Sequence, residues 1–223
     1  MMAQNWAEDR AANGKAWEQF RELEAQGAHN IILVTAGHFV PAVLDALALY
    51  RPSIPIVYNS SGYESVETLR MLEGAVDIYL PDLKYLSADV AQRYSAAPDY
   101  PEVATAAILE MFRQVGPVRF DENGMLQSGM VVRHLVLPGA HKDSLRLLNW
   151  LADNFSPEDI RLSLMSQYTP PAGIAIRELQ RPIFTYEYRK ACERAEELGF
   201  LGYTQQRSSA DAAYTPPFDG TGL

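Results

Sequence analysis

The stretch DIYLPDLKY, residues 77–85, carries Ile, Tyr and Leu in a short run and then places Asp82 and Lys84 two positions apart at its exit. Such a composition reads as a buried strand. In an extended chain alternate side chains share a face, so Asp82 and Lys84 point the same way. Spacing alone leaves two explanations open: a local ion pair beside a turn, or an acid and a base held at a site.

Outward from this stretch, apolar segments of strand length alternate with longer amphipathic ones. NIILVT (30–35), SIPIVYN (53–59), AVDIYLPD (75–82), GMVVRHLVLPG (129–139) and IRLSLMSQ (160–167) read as strands buried on both faces. Helical spacing predicts helices over 15–26, 40–49, 64–72, 102–115, 144–154 and 185–198. Strand and helix in alternation imply crossover connections and a parallel sheet. Neither a G-x-G-x-x-G nor a P-loop follows any strand, so a nucleotide-binding doubly wound sheet gives way to a barrel or partial barrel. DENGMLQSG (121–129) reads as a hairpin or turn inserted before a strand. Residues 1–204 form the expected barrel unit. Residues 205–223, rich in Ser, Ala, Pro and Gly, form an extended tail.

The 223 residues are 48% hydrophobic and 21% charged, enough for one sizeable core. A net charge of −9, with no cluster of Lys and Arg, argues against nucleic acid as a partner. No apolar run approaches the roughly 20 residues of a membrane span. The start, MMAQNWAEDR, has neither the basic nor the apolar region of a signal peptide, so a cytoplasmic protein is expected. Cys192 is the single cysteine; it excludes an intramolecular disulfide and a thiolate cluster drawn from this chain alone.

In parallel barrels the segments after the strands build the site. Here they are polar: Thr35 and His38, then Asn59, Ser60 and Ser61, then Asp82 and Lys84, then Gln167 and Tyr168. Each has a plainer reading as well. His38 could start a helix, and Asn59, Ser60 and Gly62 could form an ordinary turn. Arg133 and His134 are adjacent in a strand, so only one can line the interior, and a buried Arg needs an anion. Cys192, in an apolar helix, reads as a packed thiol.

QNW (4–6), GAHNIILVTAGHFVP (27–41), PIVYNSSGYES (55–65), VDIYLPDLKY (76–85), YSAAPDYPEVA (94–104), VVRHLVLPG (131–139) and SSADAAYTPPFD (208–219) resemble a radical S-adenosylmethionine (radical SAM) protein. More narrowly they resemble the group related to pyruvate formate-lyase activating enzymes. The resemblance implies an α/β fold, a partial parallel (β/α) barrel with adenosylmethionine across the strand ends. It implies that Asn59 and Ser60 contact the methionine part or the ribose. Lys84 and Arg133 then face the carboxylate or ribose, and Asp82 accepts from the ammonium or orients Lys84. The implied activity is oxidoreductase chemistry: reductive cleavage of adenosylmethionine to a deoxyadenosyl radical that acts on a glycyl-radical enzyme or another protein.

That chemistry needs three thiolates, in C-x-x-x-C-x-x-C, to hold a 4Fe-4S cluster. The family's C-Q-N-W stands here as Ala3-Gln4-Asn5-Trp6. The third cysteine is thus Ala3, and the first two, with the first strand, would precede Met1. The expectation is a fragment or a descendant that lost its cluster, inactive as written, with an open strand edge that favours self-association. Two other readings compete: a cluster-free module that binds adenosylmethionine or a peptide, and a metal-independent lyase in which Lys84 forms a Schiff base.

Overall fold

The computed structural model describes residues 16–204. Ala3 to Trp6 and the tail from Gln205 lie outside the described residues. The order is α1 (Ala16–Ala25), β1 (Ile31–Val34), α2 (Val40–Leu49), β2 (Ile56–Ser60), α3 (Val66–Met71), β3 (Ile78–Pro81), α4 (Ala88–Ser95), α5 (Tyr100–Val115), β4 (Arg119–Phe120), β5 (Leu126–Leu135), α6 (His141–Asn154), β6 (Arg161–Met165), α7 (Thr185–Glu197) and β7 (Gly202–Thr204). Single 3-10 turns occupy Ala36–Phe39 and Arg177–Gln180.

The seven strands form one sheet in the order β1-β2-β3-β5-β6-β7, all parallel, with the short β4 antiparallel to β5. Parallel neighbours that follow chain order lack the reversal that marks a doubly wound sheet. This is the partial barrel expected from the sequence, left open between β1 and β7 among the described residues. The expected hairpin before the fifth strand is β4 with β5, turned at Asp121, whose carboxylate accepts from the amides of Asn123 and Met125.

The core is one cluster running from Phe20 and Val40 through Ile56, Tyr58, Tyr79 and Met130 to Leu148, Leu164 and Ala195. β2 is buried along nearly its whole length. β1 is not: Ile32 and Val34, two positions apart and so on one face, are 52% and 65% exposed, and no described strand pairs with its outer edge. Two elements have no counterpart in the sequence reading. α4 has eight residues and fully buries only Ala91, with Val90 and Tyr94 packed on the core, so its apolar face is too short to stand out. β7 has three residues and begins at Gly202, where any side chain would overlap the Leu162 carbonyl.

Candidate functional site

Three strand exits meet at one point. The Asp82 amide donates to the Ser60 carbonyl, the Leu83 amide donates to the Arg133 carbonyl, and Asp82 and Arg133 form a parallel bridge. The ends of β2, β3 and β5 therefore stand in one row, and their polar side chains converge. Lys84 Nζ lies 3.0 Å from Asp82 Oδ2, and Arg133 Nη2 lies 2.7 Å from Asp82 Oδ1. Arg133 Nη2 also donates to Asn59 Oδ1 at 2.7 Å. Two cations share one carboxylate, so the cluster carries one net positive charge. Two of its buried atoms lack an aligned hydrogen-bond partner, Arg133 Nε and Asp82 Oδ1; the latter has its ion pair, but off hydrogen-bond geometry.

The segment that bears Asp82 and Lys84 is held by side chains from three other elements. Tyr100 of α5 donates to the carbonyls of Ser61 and Asp82 and accepts from the Lys84 amide. Burial, with the Asp82 charge nearby, pushes the Tyr100 phenol up, so it stays a donor. His134 of β5 bonds to the Leu83 carbonyl at 2.7 Å through Nδ1, and its Nε2 meets Ser144 Oγ at 2.8 Å. Since a carbonyl only accepts, Nδ1 carries the hydrogen. Burial lowers the His134 pKa and keeps the ring neutral. Asp143 of α6 accepts from the Leu86 amide. The adjacent strand residues thus separate as alternation requires: Arg133 faces the strand exits, His134 the packed side.

Ser60 is 1% exposed; its hydroxyl donates to Glu64 Oε1 and accepts from the Gly62 amide, so it shapes the turn after β2. Gly62 sits at φ +80°, and a Cβ there would overlap the Asp82 carbonyl. Thr35 ends β1 in the left-handed region at φ 50°, an uncommon state for a β-branched residue, and its amide donates to the Asn59 carbonyl. Ser61, partly buried, offers its carbonyl to Tyr100; His38 and Gln167 are exposed at the rim.

A cavity of about 480 Å³ opens from the charged cluster. Asp82, Lys84 and Arg133 supply the charged part of its lining. Tyr85, Tyr94, Leu135, Leu137, Met165, Tyr168, Ile174 and Leu179 belong to the rest. Sequence reasoning singled out Tyr168 but missed the other residues of this wall, and also Tyr100 and Asp143. The motif YSAAPDYPEVA contains Tyr94 and Tyr100, but nothing in their spacing shows partners so distant in the chain. The turn at Leu137 to Gly139 is fixed by Glu187, which accepts from the Gly139 and Phe184 amides and pairs with Arg181 at 2.8 Å. Burial alone would raise the Glu187 pKa, but Arg181 and the two amides outweigh it and bring it to about 2.

Cys192 lines a different cavity, with Leu162, Leu164 and Phe200, and burial raises its thiol pKa. Among the described residues no three His, Cys, Asp or Glu side chains are grouped to hold a metal ion. With one cysteine in the whole chain, the residues present do not fit a 4Fe-4S cluster. No described helix is long and apolar enough to cross a membrane.

No family model matches the chain. An uncharacterized protein, MJ0674, of Methanocaldococcus jannaschii is 25% identical over 159 residues, which are 70% of this chain and 42% of that protein. The chain thus spans well under half the length of this relative. A domain of a pyruvate-formate lyase-activating enzyme from Bacteroides vulgatus superposes with a TM-score of 0.51 at 12% identity, covering 76% of this chain and 90% of the domain. A radical SAM methyltransferase from Sphaerobacter thermophilus superposes with a TM-score of 0.58 at 12% identity, covering 86% of this chain and 57% of that one. The fold is accordingly the one found in radical SAM proteins, and the resemblance read from the sequence is borne out at that level.

Proposed function

We propose that the chain is a radical SAM-type scaffold that binds adenosylmethionine at the exits of β2, β3 and β5. The observation that carries this reading is the pair of buried, unaligned atoms in the charged cluster, Arg133 Nε and Asp82 Oδ1. An unmet buried donor destabilises a protein unless a ligand completes it. Adenosylmethionine brings a carboxylate that suits Arg133 and Lys84 and an ammonium that suits Asp82, so one amino-acid moiety meets both needs. Asn59 orients Arg133, and Ser60 acts through the turn it stabilises.

Radical chemistry on a glycyl-radical enzyme or other protein substrate requires cluster thiolates that this chain does not supply, so the function proposed for it is ligand binding. The Schiff-base alternative has less support, because Lys84 Nζ is engaged by Asp82 at 3.0 Å rather than aimed alone into the cavity. The test is calorimetric titration with adenosylmethionine. Saturable binding is expected, weakened about tenfold in Lys84→Met by loss of one charge-assisted contact. No heat of binding, or equal affinity in the variant, would remove the proposal.

A further inference from the structure

The cavity is chemically two-sided, and only one side is used by the proposal above. Beyond Lys84 and Arg133 its wall consists of Leu135 and Leu137 from β5 and the turn after it, Met165 from β6, and Ile174 and Leu179 from the connection between β6 and α7. The hydroxyls there already have partners. Tyr85 and Ser95 bond to each other at 2.9 Å, Tyr168 donates to the Leu179 carbonyl, and Tyr94 reaches the Pro138 carbonyl and Glu178. Burial, with Glu178 nearby, pushes the Tyr94 phenol up to about 12, so no phenolate forms there near neutral pH. What these rings present to the cavity is apolar surface.

The connection over 166–184 is a built wall. Besides the bond from Tyr168 to Leu179, Gln180 Nε2 donates to the Ile174 carbonyl, and Glu178 pairs with Arg93 of α4 at 2.6 Å. These bonds hold Ile174 and Leu179 against the same cavity that the charged cluster lines. An adenine ring placed here would bury its amine and ring nitrogens among side chains whose polar groups are already paired, which is unfavourable. A hydrocarbon group has no such need.

We propose that the half of the cavity under the 166–184 connection is a second subsite, which receives a neutral aromatic or branched-aliphatic group of a substrate while adenosylmethionine occupies the charged end. Ile174 and Leu179 set its selectivity: they favour apolar groups and reject charged ones, since Glu178, a carboxylate of this connection, is already paired with Arg93. This inference rests on the adenosylmethionine reading for the other end of the cavity.

The experiment is nuclear magnetic resonance titration of the full chain, labelled at the methionine methyls so that Met165 reports on the subsite. The probes are N-acetyl-phenylalaninamide, free phenylalanine and N-acetyl-lysinamide, each with and without saturating S-adenosylhomocysteine. The Met165 signal should shift with a phenylalanine probe and not with the lysine probe. The blocked amide and the free amino acid separate a peptide-borne side chain from a free one, and a shift with either supports the subsite. Ile174→Asp, a change at a partly exposed position, should weaken the phenylalanine probe at least about tenfold and leave S-adenosylhomocysteine binding intact. Displacement of N-acetyl-phenylalaninamide, which has neither the ammonium nor the carboxylate that the charged cluster would take, by S-adenosylhomocysteine would overturn the inference, because the cavity would then be one site holding adenine. A response to the lysine probe equal to that of phenylalanine would also overturn it. If phenylalanine binds and S-adenosylhomocysteine does not, the failure lies with the adenosylmethionine reading alone.

Discussion

Arg133 and His134 are neighbours in β5 with opposite surroundings, and burial decides the charge of the histidine. Arg133 is partly exposed and tied to Asp82 and Asn59, whereas His134 is 2% exposed and bonded to Leu83 and Ser144. Burial holds the His134 pKa below that of the unfolded chain, so on acidification the unfolded state takes the proton first. Its contribution to stability is full above about pH 6.5 and declines as pH falls from there toward the lowered folded value. Chemical denaturation between about pH 8 and pH 5 should show this decline, and Ser144→Ala, which leaves the ring nitrogen unpaired, should lower stability throughout. A flat profile would contradict the neutral buried ring. Lys84 is the contrasting case: its side chain is 40% exposed, so Lys84→Met should change stability by less than about 1 kcal/mol while weakening ligand binding. That Arg133 and His134 face opposite ways was legible in the sequence, because strand alternation is local. The inward engagement of Ser60 was not, since it depends on Glu64 swinging back across the turn.

At the scale of elements, the Asp82 to Leu86 segment shows how a loop becomes a fixed support. Its amides and carbonyls are met by Tyr100, His134 and Asp143, from a helix, a strand and another helix. Tyr100→Phe removes one hydroxyl that serves three backbone groups, so it should destabilise the fold by about 1–3 kcal/mol, read from the denaturation midpoint. Gly62→Ala should be at least as damaging. It combines a φ of +80° with an overlap against the Asp82 carbonyl backbone, which no side-chain adjustment relieves. A Gly62→Ala protein with unchanged stability and ligand affinity would show that the β2 and β3 exits are not packed as described. The D-x-K pair was readable because its spacing is two residues. Its supports lie 16 to 57 residues away in the chain, and no local pattern marks such partners.

For the whole molecule, parallel strands that follow chain order build a curved, open sheet whose exits share one rim. That much was legible from alternating strand and helix patterns and the missing phosphate-loop motifs. Less legible were α4, β7 and the cavity wall, because elements of eight and three residues give too short a pattern and long connections have none. Among the described residues no strand pairs with the outer edge of β1, and Ile32 and Val34 are exposed on one of its faces, which predicts self-association that grows with concentration in light scattering and is suppressed by Val34→Lys. A monomer at every concentration would argue against it. With a single cysteine, the purified chain should stay colourless after anaerobic treatment with iron and sulfide. Binding of adenosylmethionine at the strand exits is tested most directly by a crystal structure of the chain with S-adenosylhomocysteine. The ligand carboxylate should lie against Arg133 Nε and Lys84 Nζ, with its ammonium toward Asp82. A ligand bound elsewhere, or Arg133 Nε completed by water alone in a saturated crystal, would contradict it.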